Sequence, residues 1–308
     1  TIPALLELYV KFHEDAKTDP TLIDAARAMF KQLEDGDETV RILWQTFVDQ
    51  SLIEFQRVYD RLGVVIDEPT MGESRYESMI NHIIELAHDR GVVKESDGAL
   101  IVQIPNETTP LILRKADGAT IYATRDLAAL HFRLETYQPK RLLYVVANEQ
   151  ALHFRQVFAA AGLLGIVPDG VQLEHVKFGL VRTNEGKLST RRGKQILLDD
   201  VLNEAVVRAK TVVASTHEIS RTSEGRLSAE QRDHVAETVG VAAVKYFDLN
   251  HDRLHDIIFD WDQMLNLKGD SAPYLLYSYT RAASILRKAG TFDASVLHFS
   301  PLSSLLSP

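Results

Sequence analysis

Three clusters in the sequence combine residue types and spacings that can do chemistry. The first is Asp117-Gly118-Ala119-Thr120-Ile121-Tyr122-Ala123-Thr124-Arg125-Asp126. Its pattern predicts a strand ending at Tyr122 and places Asp126 in the first turn of a helix. Strand-to-helix corners of a parallel sheet are where ligands bind. A carboxylate there can hold a guanidinium through two parallel charge-assisted hydrogen bonds, and a tyrosine hydroxyl can orient it. The plainer reading is that Asp126 only complements the helix dipole.

The second cluster, Gln150-Ala151-Leu152-His153-Phe154, follows the apolar run that ends in Val146-Ala147. Gln150 and His153 are three apart and share a helix face. Both can then point into the crevice at the carboxyl edge of the sheet; otherwise they are an N-terminal cap and a partly buried histidine. The third is Gly186-Lys187-Leu188-Ser189-Thr190-Arg191-Arg192-Gly193-Lys194, which carries four cations and is bounded by glycines. Cations and hydroxyls on such a loop suit a triphosphate, because they stabilise charge developing on a leaving pyrophosphate. A solvated basic loop is the alternative.

Two weaker signals remain. His251 and His255 have metal-ligand spacing on a possible helix, but no third ligand is placed by pattern, so no protein-bound metal is expected. Tyr274, Tyr277 and Tyr279 lie beside Arg281, where they can contact RNA or pack against a neighbouring helix. Neither G-x-x-x-x-G-K-[ST] nor G-x-G-x-x-G occurs, which leaves kinase-like and dinucleotide-binding readings with little support.

The elements that must position these clusters fall in two styles. The first ninety residues or so read as helices. Leu22, Ala25, Ala26, Met29 and Leu33 recur at helical spacing after Asp19-Pro20 and stop at Gly36. Trp44, Phe47, Val48, Phe55, Val58, Tyr59 and Leu62 form a second stripe closed by Gly63. Ser74 with Glu77 has the form of a capping box. Short β-prone runs follow at 99–104 and 111–115, with Asp117-Gly118 as a hairpin signal. Strand and helix then alternate. A helix is expected over 124–136, a buried strand over 142–147, a helix over 150–164, a strand over 175–181 and a helix through Leu202, Ala205, Val206 and Ala209. Alternation of this kind means a parallel sheet with crossover helices. A polar loop is expected over 215–226, then a helix opened by Ser228 and Gln231 whose later part, 235–250, looks buried. After a break at 266–272, Pro273 opens a last helix through Lys288.

Composition sets the limits. With 308 residues, 45% of them hydrophobic and 25% charged, the chain can bury a core. Having no cysteine, it can form neither disulfides nor thiolate metal sites. A net charge of −9 argues against a general polyanion binder, though a local basic patch can still meet RNA. No apolar run approaches the roughly 18 residues that span a bilayer, and no signal peptide opens the chain, so a cytoplasmic protein without a membrane partner is expected. Thr1 in place of Met, and the closing run 302–308, read as possible cuts in a longer protein.

Taken in order and spacing, the three clusters resemble arginyl-tRNA synthetase. The resemblance runs through nearly the whole chain. It includes Gly72-Glu73-Ser74, Leu113-Arg114-Lys115-Ala116-Asp117-Gly118-Ala119, Tyr122-Ala123-Thr124-Arg125-Asp126-Leu127-Ala128-Ala129 and Tyr144-Val145-Val146. It continues through His175-Val176-Lys177-Phe178-Gly179, Phe259-Asp260-Trp261-Asp262 and Ala272-Pro273-Tyr274-Leu275-Leu276-Tyr277. It implies an arginine–tRNA ligase: ATP, with Mg2+ as its counter-ion, activates L-arginine to the adenylate, which is passed to the 3′ end of tRNA(Arg).

In the resembled family, the positions matching Tyr122, Asp126 and Gln150 hold the arginine side chain. His153, Val176, Phe178, Lys187, Ser189 and Arg191 fall among the implied ATP contacts, with Lys187 and Ser189 as the catalytic pair. Lys187 and Ser189 match the first and third positions of the class I K-M-S-K-S loop, whose fourth position is Thr190 here; Arg191 and Arg192 are candidate replacements for its second lysine. A tRNA-contacting segment is implied at about 267–281, with Tyr274, Tyr277 and Arg281 as its contacts.

The expected architecture is α/β. Residues 1–115 form a helical, connective part with a small β element, and 116–214 the second half of a class I Rossmann-like nucleotide-binding fold with the K-M-S-K-S-like loop. Residues 215–272 are stem-contact and linker helices, and 273–308 the start of a C-terminal α-helical anticodon-binding bundle. The H-I-G-H-type motif and most of that bundle are missing from the sequence, so the chain alone is expected to be inactive. The full-length protein is expected to be a monomer. The rivals are a non-catalytic tRNA- or partner-binding protein derived from a synthetase, and another class I synthetase of the cysteinyl type.

Overall fold

The structure, a computed structural model, describes residues 2–67, 71–183, 186–187, 197–218, 227–266 and 268–290. It is mostly helical with three small sheets among those residues. The chain divides into two compact units, Val65–Lys187 with His251–Ile258, and Thr1–Val64 with Leu188–Asn250 and Phe259–Pro308.

The helical unit opens with α1 (Ile2–Thr18), α2 (Thr21–Asp35) and α3 (Glu38–Leu62). The stop signals act as expected from sequence: Gly36 and Gly63 end α2 and α3 in the left-handed conformation at φ 90° and 64°. None of these three helices has a buried residue. The unit's core lies instead between α7 (Leu198–Glu218) and α8 (Ala229–Leu249). There Leu202, Ala205, Val206 and Ala209 on α7 and Ala236, Val241, Ala243 and Phe247 on α8 are all buried. Ser228 and Gln231 form the expected capping box at the start of α8. The helix α7 runs on to Glu218, so the first residues of the expected 215–226 loop continue as helix. Short α9 (Trp261–Met264) precedes α10 (Ala272–Ala289), which Ser271 caps by accepting from the Tyr274 amide.

Arg61, near the end of α3, ties that helix to the core pair. Its guanidinium donates to Asp199 at 2.9 Å and Asn203 at 2.8 Å on α7, and to Glu237 at 2.7 Å on α8. Arg57 reaches the same Asp199 at 2.9 Å. These donors hold the Asp199 carboxyl below the usual carboxylate range, Arg57 more than Arg61.

The mixed unit begins with a 3-10 turn at Glu73–Met79 and α4 (Ile80–Asp89). Ser74 does not cap it: Gly72 holds the N-cap position, extended, without any side-chain hydrogen bond. An antiparallel sheet follows, β1 (Val93–Ser96), β2 (Ala99–Val102) and β3 (Leu111–Arg114). Asp97 and Gly98 turn β1 into β2 at φ 49° and 75°, the positive pair that a two-residue hairpin needs.

The Asp117-Gly118 turn forms as its sequence predicts. The Gly118 amide donates to the Lys115 carbonyl at 2.9 Å, and the Asp117 carboxylate accepts from Ala119 at 3.0 Å. Next come α5 (Tyr122–Tyr137), β4 (Arg141–Ala147), a 3-10 turn at Asn148–Gln150, α6 (Ala151–Leu164) and β5 (Gln172–Phe178). Strands β4 and β5 pair in parallel across this crossover, from Arg141 against Gln172 to Ala147 against Phe178.

Ile83, Val102, Leu113, Leu127, Leu130, Val157 and Leu164 make one core under these elements. Strand β4 is not buried on both faces, as its apolar run suggests. Leu143 and Val145 are 54% and 65% exposed, because the core covers only the face of Leu142, Tyr144 and Val146. The expected strand 175–181 is also divided: β5 ends at Phe178 and β6 (Val181–Thr183) begins a third sheet, flanked by β7 (Gly186–Lys187) and β8 (Ile257–Ile258).

Candidate functional site

Tyr122 does not end a strand. It is the first residue of α5, because Ile121 is the extended residue before the helix. Asp126 is therefore one turn inside, and Tyr122 and Asp126 stand four apart on one helix face. The helix start is pinned from below: Thr124, fully buried, donates its hydroxyl to the Leu113 carbonyl of β3 at 2.5 Å.

From the other side, α6 supplies His153. Its Nε2 lies 2.6 Å from Asp126 Oδ2. A carboxylate oxygen only accepts, so the imidazole carries the hydrogen on Nε2. The ring centroids of Tyr122 and His153 are 4.7 Å apart. The His153 side chain is 10% exposed and the Asp126 side chain 32% exposed. A carboxylate, an imidazole and a phenol thus meet at the junction of α5 and α6, just past the carboxyl end of β4.

Gln150, expected in the same pocket, ends the 3-10 turn ahead of α6; it is exposed, and among the described residues its side chain makes no hydrogen bond. Val176 and Phe178 lie on β5, paired with Val145 and Ala147. The backbone of Lys187 is in β7, paired with Arg182. Ser189, Thr190, Arg191 and Arg192 lie outside the described residues, as does Leu267. Tyr274, Tyr277 and Arg281 sit on α10 in the helical unit, all exposed. His251 and His255 are not on a helix but in the turn after α8, and His255 Nδ1 faces Asp252 at 3.2 Å.

Behind the carboxylate is a layer that sequence reasoning did not find. Arg133 lies seven residues beyond Asp126 on α5, and its guanidinium is 5.5 Å from the Tyr144 ring centroid and 5.7 Å from that of Tyr76. Its Nη1 donates to the Tyr144 hydroxyl at 3.3 Å. Burial pushes the Tyr144 phenol up, Arg133 draws it down, and the charge of Asp126 adds to the rise, so Tyr144 stays protonated at neutral pH. The Arg133 guanidinium is disfavoured by its burial, but the phenol oxygens of Tyr144 and Tyr76 outweigh that and raise its pKa. The two-turn spacing of Asp126 and Arg133 is visible in the sequence, but the tyrosines against which Arg133 packs come from other elements.

Phe154 extends the same layer, its ring 5.1 Å from Tyr144 and 4.8 Å from His175. His175 donates from Nε2 to the Val146 carbonyl at 2.9 Å, cross-linking β5 to β4.

Chemically, the site offers one partly exposed carboxylate, with an aromatic face beside it and a hydrogen-bonding network behind it. Such a site suits a cation that brings N–H donors of its own.

The family model described as tRNA synthetases class I (R), catalytic domain, matches residues 1–261. The chain is 44% identical over 299 residues to the arginine–tRNA ligase of Exiguobacterium sibiricum, covering 96% of this chain and 51% of that protein. It is 43% identical over 296 residues to that of Clostridium acetobutylicum, again covering 96% and 51%. The chain spans about half the length of the curated relatives it matches.

Among solved structures, arginyl-tRNA synthetase from Plasmodium falciparum aligns with a TM-score of 0.75 at 27% identity, over 89% of this chain and 45% of that one. The Thermus thermophilus arginyl-tRNA synthetase aligns at 0.72, over 97% and 54%, and at 20% identity it speaks for the fold alone.

Proposed function

Since this chain belongs to the arginyl branch of the class I tRNA synthetases, we propose that it works in arginine–tRNA ligation, supplying part of the site where ATP activates L-arginine before transfer to tRNA(Arg). The observation that carries this is the Asp126 carboxylate, held by His153 beside the Tyr122 ring at the mouth of the crossover β4–α6–β5. A guanidinium is planar, permanently charged and able to give two parallel hydrogen bonds to one carboxylate. Lysine has a single ammonium centre and cannot make that fork, so this site favours arginine over lysine. Gln150, close by in sequence at the start of α6, is the proposed neutral partner for the arginine side chain.

In this reading, β4–α6–β5 belongs to the second half of the Rossmann-like nucleotide fold, and α10 opens the anticodon-binding bundle. ATP lies along the carboxyl ends of these strands, near Val176 and Phe178, with Mg2+ as the counter-ion of its phosphates. Lys187, Ser189 and Arg191 meet the triphosphate, where fixed cations and hydroxyls stabilise the departing pyrophosphate. Tyr274, Tyr277 and Arg281, exposed on α10, contact tRNA. No described helix is long and apolar enough to cross a membrane. On the family likeness alone, we infer a cytoplasmic monomer.

The test is Asp126→Ala in an arginine–tRNA ligase carrying this chain. The KM for arginine should rise by more than about tenfold, roughly 1.4 kcal/mol, while the KM for ATP stays near its parental value. An arginine KM within a few-fold of the parent removes the assignment.

A further inference from the structure

The hydrogen bond between His153 and Asp126 carries a consequence for the family-based view of His153 as a nucleotide contact. We propose that His153 is a positioning residue of the arginine pocket: it fixes the Asp126 carboxylate for the guanidinium and does not bind ATP. The inference rests on the arginine reading above.

Its basis is geometric. The imidazole Nε2 is committed to Asp126 Oδ2 at 2.6 Å, and the His153 side chain is nine-tenths buried. The ring is fixed by its neighbours, Tyr122 at 4.7 Å and Phe154 at 5.1 Å between centroids. Phe154 in turn packs on Tyr144 and His175. The donor that reaches Asp126 is therefore itself seated in a packed aromatic layer. Among the described residues this is the one hydrogen bond to the Asp126 carboxylate.

A lone carboxylate on a helix surface rotates about its last bond, and a ligand that needs both oxygens in one plane must stop that rotation. The imidazole stops it beforehand. A carboxylate has about four lone-pair positions, so it can accept from His153 on Oδ2 and still receive two parallel N–H bonds from a guanidinium. Groups held in the productive geometry before the ligand arrives spare the ordering cost on binding.

The experiment compares His153→Leu, His153→Gln and His153→Asn in an arginine–tRNA ligase carrying this chain, with Asp126→Ala as reference. It reads the KM for arginine, the KM for ATP and kcat in aminoacylation. His153→Leu should raise the arginine KM about tenfold, leave the ATP KM within about twofold and lower kcat little. Glutamine places an amide N–H near the position of Nε2 and should restore most of the arginine KM. Asparagine, one methylene shorter, should not. This pair keeps the test valid even if the leucine variant folds poorly.

A rise in the ATP KM with no rise for arginine overturns the proposal, as do equal effects of glutamine and asparagine. If Asp126→Ala itself leaves the arginine KM unchanged, the pocket assignment fails and this inference goes with it. If Asp126→Ala raises the KM and the His153 variants do not, only the role of His153 is wrong.

Discussion

Gly240 on α8 lies against the backbone of Val206 on α7, so close that an added methyl group would come within 2.8 Å of the Val206 Cα and amide nitrogen. The contact is backbone to backbone, and no side chain can rotate out of the way. Gly240→Ala is therefore expected to push the two helices apart and to cost about 1–3 kcal/mol, a typical overpacking penalty. The midpoint of thermal unfolding should fall by several degrees, which differential scanning calorimetry would detect. An unchanged midpoint would mean that the helices are not packed this tightly.

Arg61 should behave as a clamp between α3 and the α7–α8 pair. Arg61→Ala removes donors from Asp199, Asn203 and Glu237 together. A loss of about 1–2 kcal/mol is expected, since hydrogen bonds to charged groups are worth more than neutral ones. The pH dependence follows from Asp199, whose carboxyl is held below its ordinary value by Arg57 and then Arg61. A depressed carboxyl contributes stability that is present above the unfolded value, about 3.9, and is lost as pH falls through the folded one. Acid titration should therefore weaken the parent below about pH 4, and the alanine variant less steeply. Identical acid profiles would contradict the clamp.

Thr124 tests whether the start of α5 depends on β3. Its buried hydroxyl donates to the Leu113 carbonyl, so Thr124→Val leaves that acceptor without its partner at about 1–3 kcal/mol, whereas Thr124→Ser keeps the donor. In an arginine–tRNA ligase carrying this chain the valine change should also raise the arginine KM, because Asp126 stands two residues further along the same helix. Equal behaviour of serine and valine would show that the bond is incidental.

Tyr277→Ala and Arg281→Ala on the exposed side of α10 should weaken tRNA. Loss of one stacked base costs about 1–3 kcal/mol, so a rise of fivefold or more in the KM for tRNA is expected, with the KM for arginine unmoved. A filter-binding titration at fixed salt measures it directly, and parental tRNA affinity in both variants would remove α10 from the tRNA interface.

The sequence was most legible where local chemistry decides the outcome. Gly36, Gly63 and the Ser228–Gln231 box mark helix ends through hydrogen bonds made within a few residues, and all three act as their spacing predicts. The hairpin at Asp97-Gly98 carries the same local signal as Asp117-Gly118. Tyr122 opens α5 although β-prone Ile121 and Tyr122 continue a strand-like pattern, and only the extended backbone of Ile121 marks it as the residue before the helix. Local pattern could not tell Ser74 from a true cap, since Gly72 turns the chain first. The bond between His153 and Asp126 spans 27 positions, and the network of Arg133, Tyr144 and Tyr76 joins three elements. Such pairings depend on which faces the core brings together, and spacing along one segment does not contain that information. The exposed Leu143 and Val145 have the same origin: an apolar run shows that a strand forms, not how many of its faces are covered.

The last pairing of the mixed unit is made by its most distant segment. The Ile257 amide donates to the Leu180 carbonyl at 2.9 Å, and Gly179 sits where any side chain would collide with the His255 carbonyl. One edge of the strand begun at Val181 pairs with nearby β7, but its other edge waits for Ile257, with all of α7 and α8 intervening. On a ribosome that order is fixed: the unit opened at Val65 stays unfinished until the chain has grown to Ile258. Closing so long a loop is slow, and the newborn chain carries an unpaired strand edge throughout, a stage at which chaperone protection matters most.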